Sequence, residues 1–510
     1  MSRFDEHVKK IKKSIDDTWS TIHATTGVLL DDLNQARSMQ FMRYVIVWLL
    51  RLASQQNVPQ EQIRLPLPTE QAEQFKVLPE YLLEDVVENF KFITQHIPHI
   101  ITPQQCEEIV QFCVTFLRST EYVKNPGVKS GLVTILFFGV QPYYNRSRGV
   151  LGDVLIGSEF AHKHLLHALM RFYIEAEMTG THTQFYDKFN IRYEIFQVIK
   201  CIWTNTLYRD NLRREADVDT DFFVQFVNMI INDATFVLDE LLSSFVKIHD
   251  LQKELESWPM SDDERRKEKE ELLEDSKGKA KSYMGLTRES METLILFTET
   301  LSGPFTMPEI VQRLADMLDY NLDTMVGPKS SNLKVRDKES YGFHPQQLLS
   351  DILSVYINLA ARPSFVQAIA RDGRSYKPEN FGKATWIMQK FASKSPDELR
   401  LWESLGERVA ETKAAEDQEE EDLGEIPEEF EDPLMAILMS DPVILPTSKN
   451  VLDRATIRSH LLSDPNDPFN RVPLKIEDVI PHTELKAKID AWKAEKKAAR
   501  KGEKMDTSEG

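Results

Sequence analysis

Cysteine is scarce in this chain, with three residues in 510. Three thiols cannot make a disulfide framework, so the sequence points to a reducing compartment. Cys106, Cys113 and Cys201 lack the short paired spacing that a zinc finger or ribbon needs, and neither a metal nor a cofactor is expected. Long apolar runs are missing as well. The two longest, 44–50 and 131–140, fall far short of the ~20 residues of a membrane helix. Arg3, Asp5, Glu6, Lys9, Lys10, Lys12, Lys13, Asp16 and Asp17 leave no room for the apolar core of a signal peptide. There is no basic excess: 62 Lys and Arg stand against 81 Asp and Glu, a net charge of −19. That balance argues against a dedicated nucleic-acid binder. The expectation is a protein of the cytoplasm and nucleus, without membrane insertion or nucleic-acid binding.

Motifs for covalent chemistry are also lacking. Gly149, Gly152 and Gly157 do not match dinucleotide spacing, and Gly382-Lys383 lacks the flanking residues of a phosphate loop. His162, His164 and His167 have no acidic residue in a metal-binding arrangement and read as packing or surface histidines. Cys201 has no activating histidine nearby in sequence.

What is present is helical periodicity. Leu83, Val86, Val87, Phe90, Ile93 and Ile97 recur at steps of three and four. So do Phe223, Val227, Ile230, Ala234, Val237, Leu241 and Phe245, and then Leu349, Ile352, Leu353, Tyr356 and Leu359. Each series marks an amphipathic helix with one buried stripe. Turn signals separate such segments at Pro66 to Pro68, Pro98, Asn125-Pro126-Gly127, Gly303-Pro304 and Gly327-Pro328. The predicted fold is mainly α, with an α-solenoid of armadillo-like helix pairs over 1–410. A charged insertion near 253–281 reads as a solvated helix or an inter-helix loop. Residues 411–426, centred on Glu419-Glu420-Glu421-Asp422, read as an acidic hinge.

Beyond the hinge the texture changes. Eight prolines fall between 427 and 492 among short apolar clusters. Val443-Ile444-Leu445 reads as a strand, Thr447 to Asn450 as a turn, and Val451-Leu452 as the return strand. Asp453 is a good N-cap for a helix over 454–462. A loop with Asp464-Pro465 and Asp467-Pro468 follows, then a helix from Thr483 with Leu485, Ile489 and Trp492 on one face. The span 427–495 is therefore a compact α+β domain, and 496–510 a disordered tail. Leu438, Val443, Ile457, Leu461 and Ile489 are its candidate core.

Five clusters in this span stand in a telling order: Ile426-Pro427-Glu428-Glu429-Phe430, Asp432-Pro433-Leu434-Met435, Leu438-Met439-Ser440-Asp441-Pro442-Val443, Asp453-Arg454 and Asp467-Pro468-Phe469-Asn470-Arg471. Together they resemble a U-box, the zinc-free relative of the RING domain. The Pro-Phe-Asn-Arg variant resembles the ubiquitin chain-elongation (E4) factors of the Ufd-two type. The run from Pro308-Glu309-Ile310-Val311 through Asp319-Tyr320-Asn321-Leu322 and Val326-Gly327-Pro328-Lys329 resembles the core of the same family. Leu333-Lys334-Val335, Tyr341-Gly342-Phe343 and Leu348-Leu349-Ser350-Asp351 extend that likeness. The resemblance starts inside the family's core, without its usual long, variable N-terminal region, so functions assigned to that region are not implied.

The resemblance implies a ubiquitin ligase that binds a charged E2 ubiquitin-conjugating enzyme. It would extend chains on already ubiquitinated substrates bound for proteasomal degradation, including degradation from the endoplasmic reticulum. Leu434, Ala436, Pro468, Phe469 and Pro473 match the groove for the conjugating enzyme. Arg471 matches the residue that holds enzyme and ubiquitin in a closed pose, with Asn470 as its brace. A network including Asp453, Arg454 and Asp464 would replace the zinc ions, although for Asp453 a helix cap alone is an equal reading. The helical core would bind ubiquitin chains and the AAA-type segregase valosin-containing protein, and the acidic hinge would let the U-box sweep over the bound acceptor. An α-solenoid adaptor whose C-terminal domain only docks a partner stays open as an alternative, as does a karyopherin-like carrier.

Overall fold

The computed structural model describes residues 3–178, 185–257, 263–423, 426–461 and 464–506. The chain divides into two compact units, Met1–Val218 and Asp219–Gly510. The division falls inside the span expected to be one helical core, and the C-terminal domain groups with the second unit.

Among the described residues the first unit holds ten α-helices: α1 (Arg3–Leu29), α2 (Asp32–Ser54), α3 (Glu73–Lys76), α4 (Tyr81–His96), α5 (Pro103–Arg118), α6 (Pro126–Val140), α7 (Gly152–Gly157), α8 (Glu159–Glu175), α9 (Phe185–Ile202) and α10 (Thr206–Val218). The stripe read from sequence at Leu83, Val86, Val87, Phe90 and Ile93 is buried on α4. Asn125 caps α6, its side chain accepting from the Gly127 amide at 2.9 Å. Helices pack on those two or three places further along the chain, α4 on α6, α5 on α8 and α6 on α9, which is the stacking of a solenoid. The three histidines of α8 do not converge. His162 pairs with the Ile156 carbonyl, His164 with the Arg118 guanidinium and His167 with Glu215. Burial, with Arg118 alongside, pulls His164 down to about 4. Burial likewise pushes the Cys106 thiol up to about 11 and raises Cys113 and Cys201, so none of the three is an activated nucleophile.

In the second unit, α11 (Thr220–Ser257) and α12 (Asp263–Thr300) form a long hairpin. The charged insertion is therefore helical over its described residues. Phe223, Val227, Ile230, Ala234, Val237, Leu241 and Phe245 are all buried. By length and composition alone α11 is apolar enough to cross a membrane, with a mean hydropathy of 1.2, but 61% of that stretch is buried inside the unit. Its hydropathy lies in a stripe rather than an unbroken run. Then come α13 (Pro308–Val326), α14 (Pro345–Leu359), α15 (Pro363–Arg371), α16 (Pro378–Phe391) and α17 (Pro396–Leu423). All five open on proline, whose fixed φ and missing N–H suit the first helical position. The stretch expected to be an acidic hinge is helical to Leu423, as the last turns of α17. Glu and Lys are good helix formers, and a run of acidic residues does not by itself end a helix that has already been nucleated.

The C-terminal domain has a three-stranded antiparallel sheet in the order β2-β1-β3, with β1 at Pro442–Ile444, β2 at Val451–Asp453 and β3 at Ile480–Pro481. Val443 pairs with Leu452 on one side and Pro481 on the other. Only the hairpin is legible in sequence; a strand of two residues carries no alternation to read. Helices α18 (Arg454–Leu461) and α19 (Thr483–Asp506) complete the domain. Because α19 continues to Asp506, the expected disordered tail is helical over most of its length. Val443, Leu445, Leu452, Ile457, Leu474 and Val479 form one small core, with Leu461 packed against it. Phe430, Met439, Leu485 and Ile489 form a second, with Leu438 and Trp492 at its edge. α18 packs on α13 and α19 on α17, so the domain rests on the helices of its own unit.

Candidate functional site

Two surface loops of the C-terminal domain are built on one plan. The first opens at Asp432 and the second at Asp467, and both aspartates are fully buried. In the first, the Asp432 amide donates to the Ile437 carbonyl and the Ala436 amide to the Asp432 carbonyl, both at 2.8 Å. In the second, the Asp467 amide donates to the Val472 carbonyl and the Arg471 amide to the Asp467 carbonyl, again at 2.8 Å. The bridges Glu431–Leu438 and Asn466–Pro473 close the two necks at equivalent places. Ala436 and Arg471 occupy the same left-handed conformation, with φ of 54° and 59°.

Each buried carboxylate stiffens its own loop. Asp432 Oδ1 accepts from the Leu434 and Met435 amides, and Asp467 Oδ1 accepts from the Phe469 amide at 3.0 Å. The second oxygens reach outward. Asp432 Oδ2 accepts from the Asp453 amide at the end of β2, and Asp467 Oδ2 from the Thr447 hydroxyl in the hairpin turn, both at 2.8 Å. One loop is thus tied to each end of the hairpin. Burial alone would raise the Asp467 carboxyl; the bonds from Phe469, Ser448 and Thr447 bring it below the ordinary aspartate range.

Asp453 does both things open to it in the sequence. Its Oδ1 caps α18 through the Ala455 amide at 3.0 Å. Its Oδ2 accepts from the Ser440 amide, the Ser440 hydroxyl and the Asp441 amide, at 2.6, 3.0 and 2.9 Å. Arg454 joins through Asp441, with Nε 2.7 Å from Oδ2. Asp464 stands apart from this network. It is exposed; its side chain accepts from the Asn466 side-chain amide at 2.6 Å, and its own amide donates to the His460 carbonyl at the end of α18.

Reading the sequence missed Asp432 and Asp467, the two carboxylates at the centre of the loops. A partial signal was there in Asp-Pro followed by an apolar residue, at 432–434 and 467–469, though 441–443 repeats it and runs into a strand. Proline presets the turn, and the preceding aspartate can bond forward to the amide two residues on.

The loops present apolar side chains to solvent. Leu434 is 45% and Phe469 40% exposed, and Met435, Ile437 and Val472 are exposed too. Pro468 is half-buried, while Ala436 and Pro473 are exposed. Small domains rarely leave this many large apolar groups on two rigid loops unless another protein covers them. Arg471 is exposed, and its guanidinium has no partner among the described residues. Asn470 does not bond to Arg471. Its side chain accepts from the Val472 amide at 3.0 Å, which spans Arg471 and fixes the backbone on either side of it.

On the face of α18 toward α13, Arg458 Nη1 lies 2.8 Å from Glu309 and Nη2 3.8 Å from Asp221. Glu309 is nearly buried there. The loop carrying Leu434 and the loop carrying Phe469 stay exposed with the domain docked in this way.

Known proteins resemble the chain along most of its length. The model of the ubiquitin elongating factor core matches residues 1–410, and that of the U-box domain matches 426–498. Ubiquitin conjugation factor E4 of Schizosaccharomyces pombe is 41% identical over 96% of this chain and 49% of its own length. E4 ubiquitin-protein ligase UFD2 of Saccharomyces cerevisiae is 37% identical over 96% of this chain and 54% of its own. Ubiquitin conjugation factor E4 A of Bos taurus is 34% identical over 83% of this chain and 41% of its own. The chain spans about half the length of these curated relatives. Its helical units followed by two carboxylate-braced loops on a small sheet are the core and U-box of the ubiquitin elongating factors, and the chain belongs to that family.

Proposed function

We propose that this chain is a U-box ubiquitin ligase of the chain-elongating type. It binds a ubiquitin-charged E2 conjugating enzyme and promotes transfer of ubiquitin to lysines, extending chains on substrates that already carry ubiquitin. The observation that carries this reading is the pair of rigid loops presenting Leu434 and Phe469 beside an unpartnered Arg471. Leu434, Pro468 and Phe469 offer apolar area on loops whose conformational entropy is already lost, as binding hot spots do. Ala436 and Pro473 flank that area. The guanidinium of Arg471 has a planar fork of donors suited to two carbonyl oxygens at once. Bonded to one on the conjugating enzyme and one on its ubiquitin, it holds the thioester in an attackable pose. The acceptor amine then forms the amide bond, and the thiolate of the conjugating enzyme leaves. This chain forms no covalent intermediate of its own. Its contribution is positional, a larger fraction of time in a near-attack geometry.

In this reading the helical units hold the substrate or its ubiquitin chain and a segregase of the valosin-containing type, in the cytoplasm and nucleus, on a route to the proteasome that includes clearance from the endoplasmic reticulum. The U-box works from a docked position. A helical connection through Leu423 and the Arg458–Glu309 contact favour a fixed platform over a sweeping arm. Discharge of ubiquitin from a pre-charged conjugating enzyme onto free lysine tests the proposal. The chain should accelerate discharge, Leu434→Ala and Phe469→Ala should abolish the acceleration, and Arg471→Ala should slow discharge without loss of binding. No acceleration with any of a broad panel of conjugating enzymes overturns it.

A further inference from the structure

The core motif Val326-Gly327-Pro328-Lys329 has no part in the U-box, yet its first residue, with the flanking Met325 and Ser330, lines one wall of a surface groove. Met325, Val326 and Ser330 face Gly382, Lys383, Trp386 and Ile387 across a space of about 410 Å³. The opposite wall is α16. Phe381, Ala384 and Met388 face its core side and are buried. The other side carries Lys383, Trp386 and Lys390 at steps of three and four, one continuous outer stripe. Trp386 is 60% exposed and Phe391, at the end of the helix, 49%. At Gly382 a side chain would meet nothing within 4 Å, so the floor beside Trp386 is open.

The charge around this groove is opposite to that of the chain. Lys329, Lys383 and Lys390 are exposed and none makes an ion pair among the described residues. Asp323 holds the nearby Lys377 at 2.6 Å and also acts electrostatically on Lys383, so the lysines outnumber the acid beside them rather than stand unopposed. Lys390 lies over the Trp386 ring, 4.7 Å from its centroid. In a protein of net charge −19, three unpaired lysines around an exposed tryptophan are a local inversion of the field.

We propose that this groove docks an acidic peptide segment of a partner protein, which places one apolar side chain against Trp386 and its carboxylates on Lys329, Lys383 and Lys390. Two features favour a peptide over single-stranded nucleic acid. The wall facing Trp386 is Met325, Val326 and Ser330, mostly apolar and without a second stacking ring. No arginine lines the groove, whereas nucleic-acid channels use a longer basic track than three lysines. The site is independent of the U-box loops. Such a segment would hold its owner on the second helical unit while leaving the U-box loops uncovered.

Fluorescence anisotropy on the full chain tests this, with fluorescein-labelled dodecapeptides of Glu and Asp around a single Leu, Ile, Phe or Trp. At least one should bind, and binding should weaken steeply as salt is raised. Trp386→Ala and the pair Lys383→Glu with Lys390→Glu should each weaken it by tenfold or more, and so should replacing the apolar residue of the peptide with Ser. Because these side chains are exposed, the variants should melt like the parent and discharge a conjugating enzyme at the same rate. Failure of every peptide to bind overturns the proposal. So does equal binding by Trp386→Ala, or a single-stranded oligonucleotide that binds more tightly than the peptides and displaces them.

Discussion

The loop that opens at Asp432 and the loop that opens at Asp467 close through the same bonds, but the first holds an alanine at its left-handed position and the second an arginine. Their frames are equivalent and their side chains are not. Both hold an exposed apolar group two residues after the aspartate. Only the second adds a cation with no partner among the described residues. The difference teaches that architecture and chemistry are separable here. A buried carboxylate fixes the loop, and what the loop displays can then vary at no cost to its shape. A RING-type domain fixes loops with zinc; structural zinc is worth ~10–16 kcal/mol in small domains. No cysteine lies in 426–498, and carboxylate-to-amide bonds carry that task in this chain.

The largest effect expected from breaking the comparison is on catalysis. Arg471→Ala should lower conjugating-enzyme discharge by tenfold or more with unchanged thermal stability. Moving the arginine to the twin position, Ala436→Arg in the Arg471→Ala background, should not restore it. Rescue would mean that any cation on either loop suffices and that the loops are interchangeable.

The two aspartates should differ in their tolerance of asparagine. Asp432 Oδ2 accepts from the main-chain amide of Asp453, a donor that cannot reverse. Asp432→Asn would bring two donors together and should cost on the order of 2 kcal/mol. Asp467 Oδ2 accepts from the Thr447 hydroxyl, which can rotate and accept instead, while the Ser448 amide bonds to the same carboxylate and cannot. Asp467→Asn should therefore cost less than Asp432→Asn, about 1 kcal/mol. Hydrogen exchange of the two loops in each variant measures this, and equal costs would sink the argument.

pH should act on the second loop. A carboxyl held below its unfolded value adds stability that is complete above the unfolded pKa of about 3.9 and is lost as pH falls through the folded value. The Asp467 shift runs in that direction. Protection of amides around 467–472 should fall in acid below about pH 4, and Asp467→Asn should flatten that fall. The smallest effect is conformational. Glycine at either left-handed position relieves a strain of about 1 kcal/mol. Ala436→Gly should raise stability by up to that amount with discharge intact, whereas Arg471→Gly should raise stability and lose discharge.

A third region sharpens the contrast from outside the loops. Arg458→Glu should release α18 from Glu309 and raise hydrogen exchange at the start of α13, and Glu309→Arg added to it should restore protection. A freely sweeping U-box predicts no change in either variant.

The amino-acid sequence by itself determined the helical stripes, the hairpin and the cap at Asp453, while the residues of the loops were named through the family resemblance. These are local facts. Periodicity of three and four, a turn signal or an Asp-Pro pair depends on neighbours a few residues away. Tertiary structure decided the rest. Asp432 and Asp467 became the centres of the site only because folding buried them and brought the Asp453 amide and the Thr447 hydroxyl to their second oxygens. Asp464, of the same residue type and also before a proline, stayed on the rim because its loop turns it outward. The acidic stretch after 411 reads as a linker from composition, yet it continues a helix already anchored by Trp402, Leu405 and Val409 in the core. The third strand owes its pairing to the edge that β1 offers rather than to its own two residues. Burial and long-range hydrogen bonds are properties of places in a fold, and identical residues acquire different roles when the chain carries them to different places.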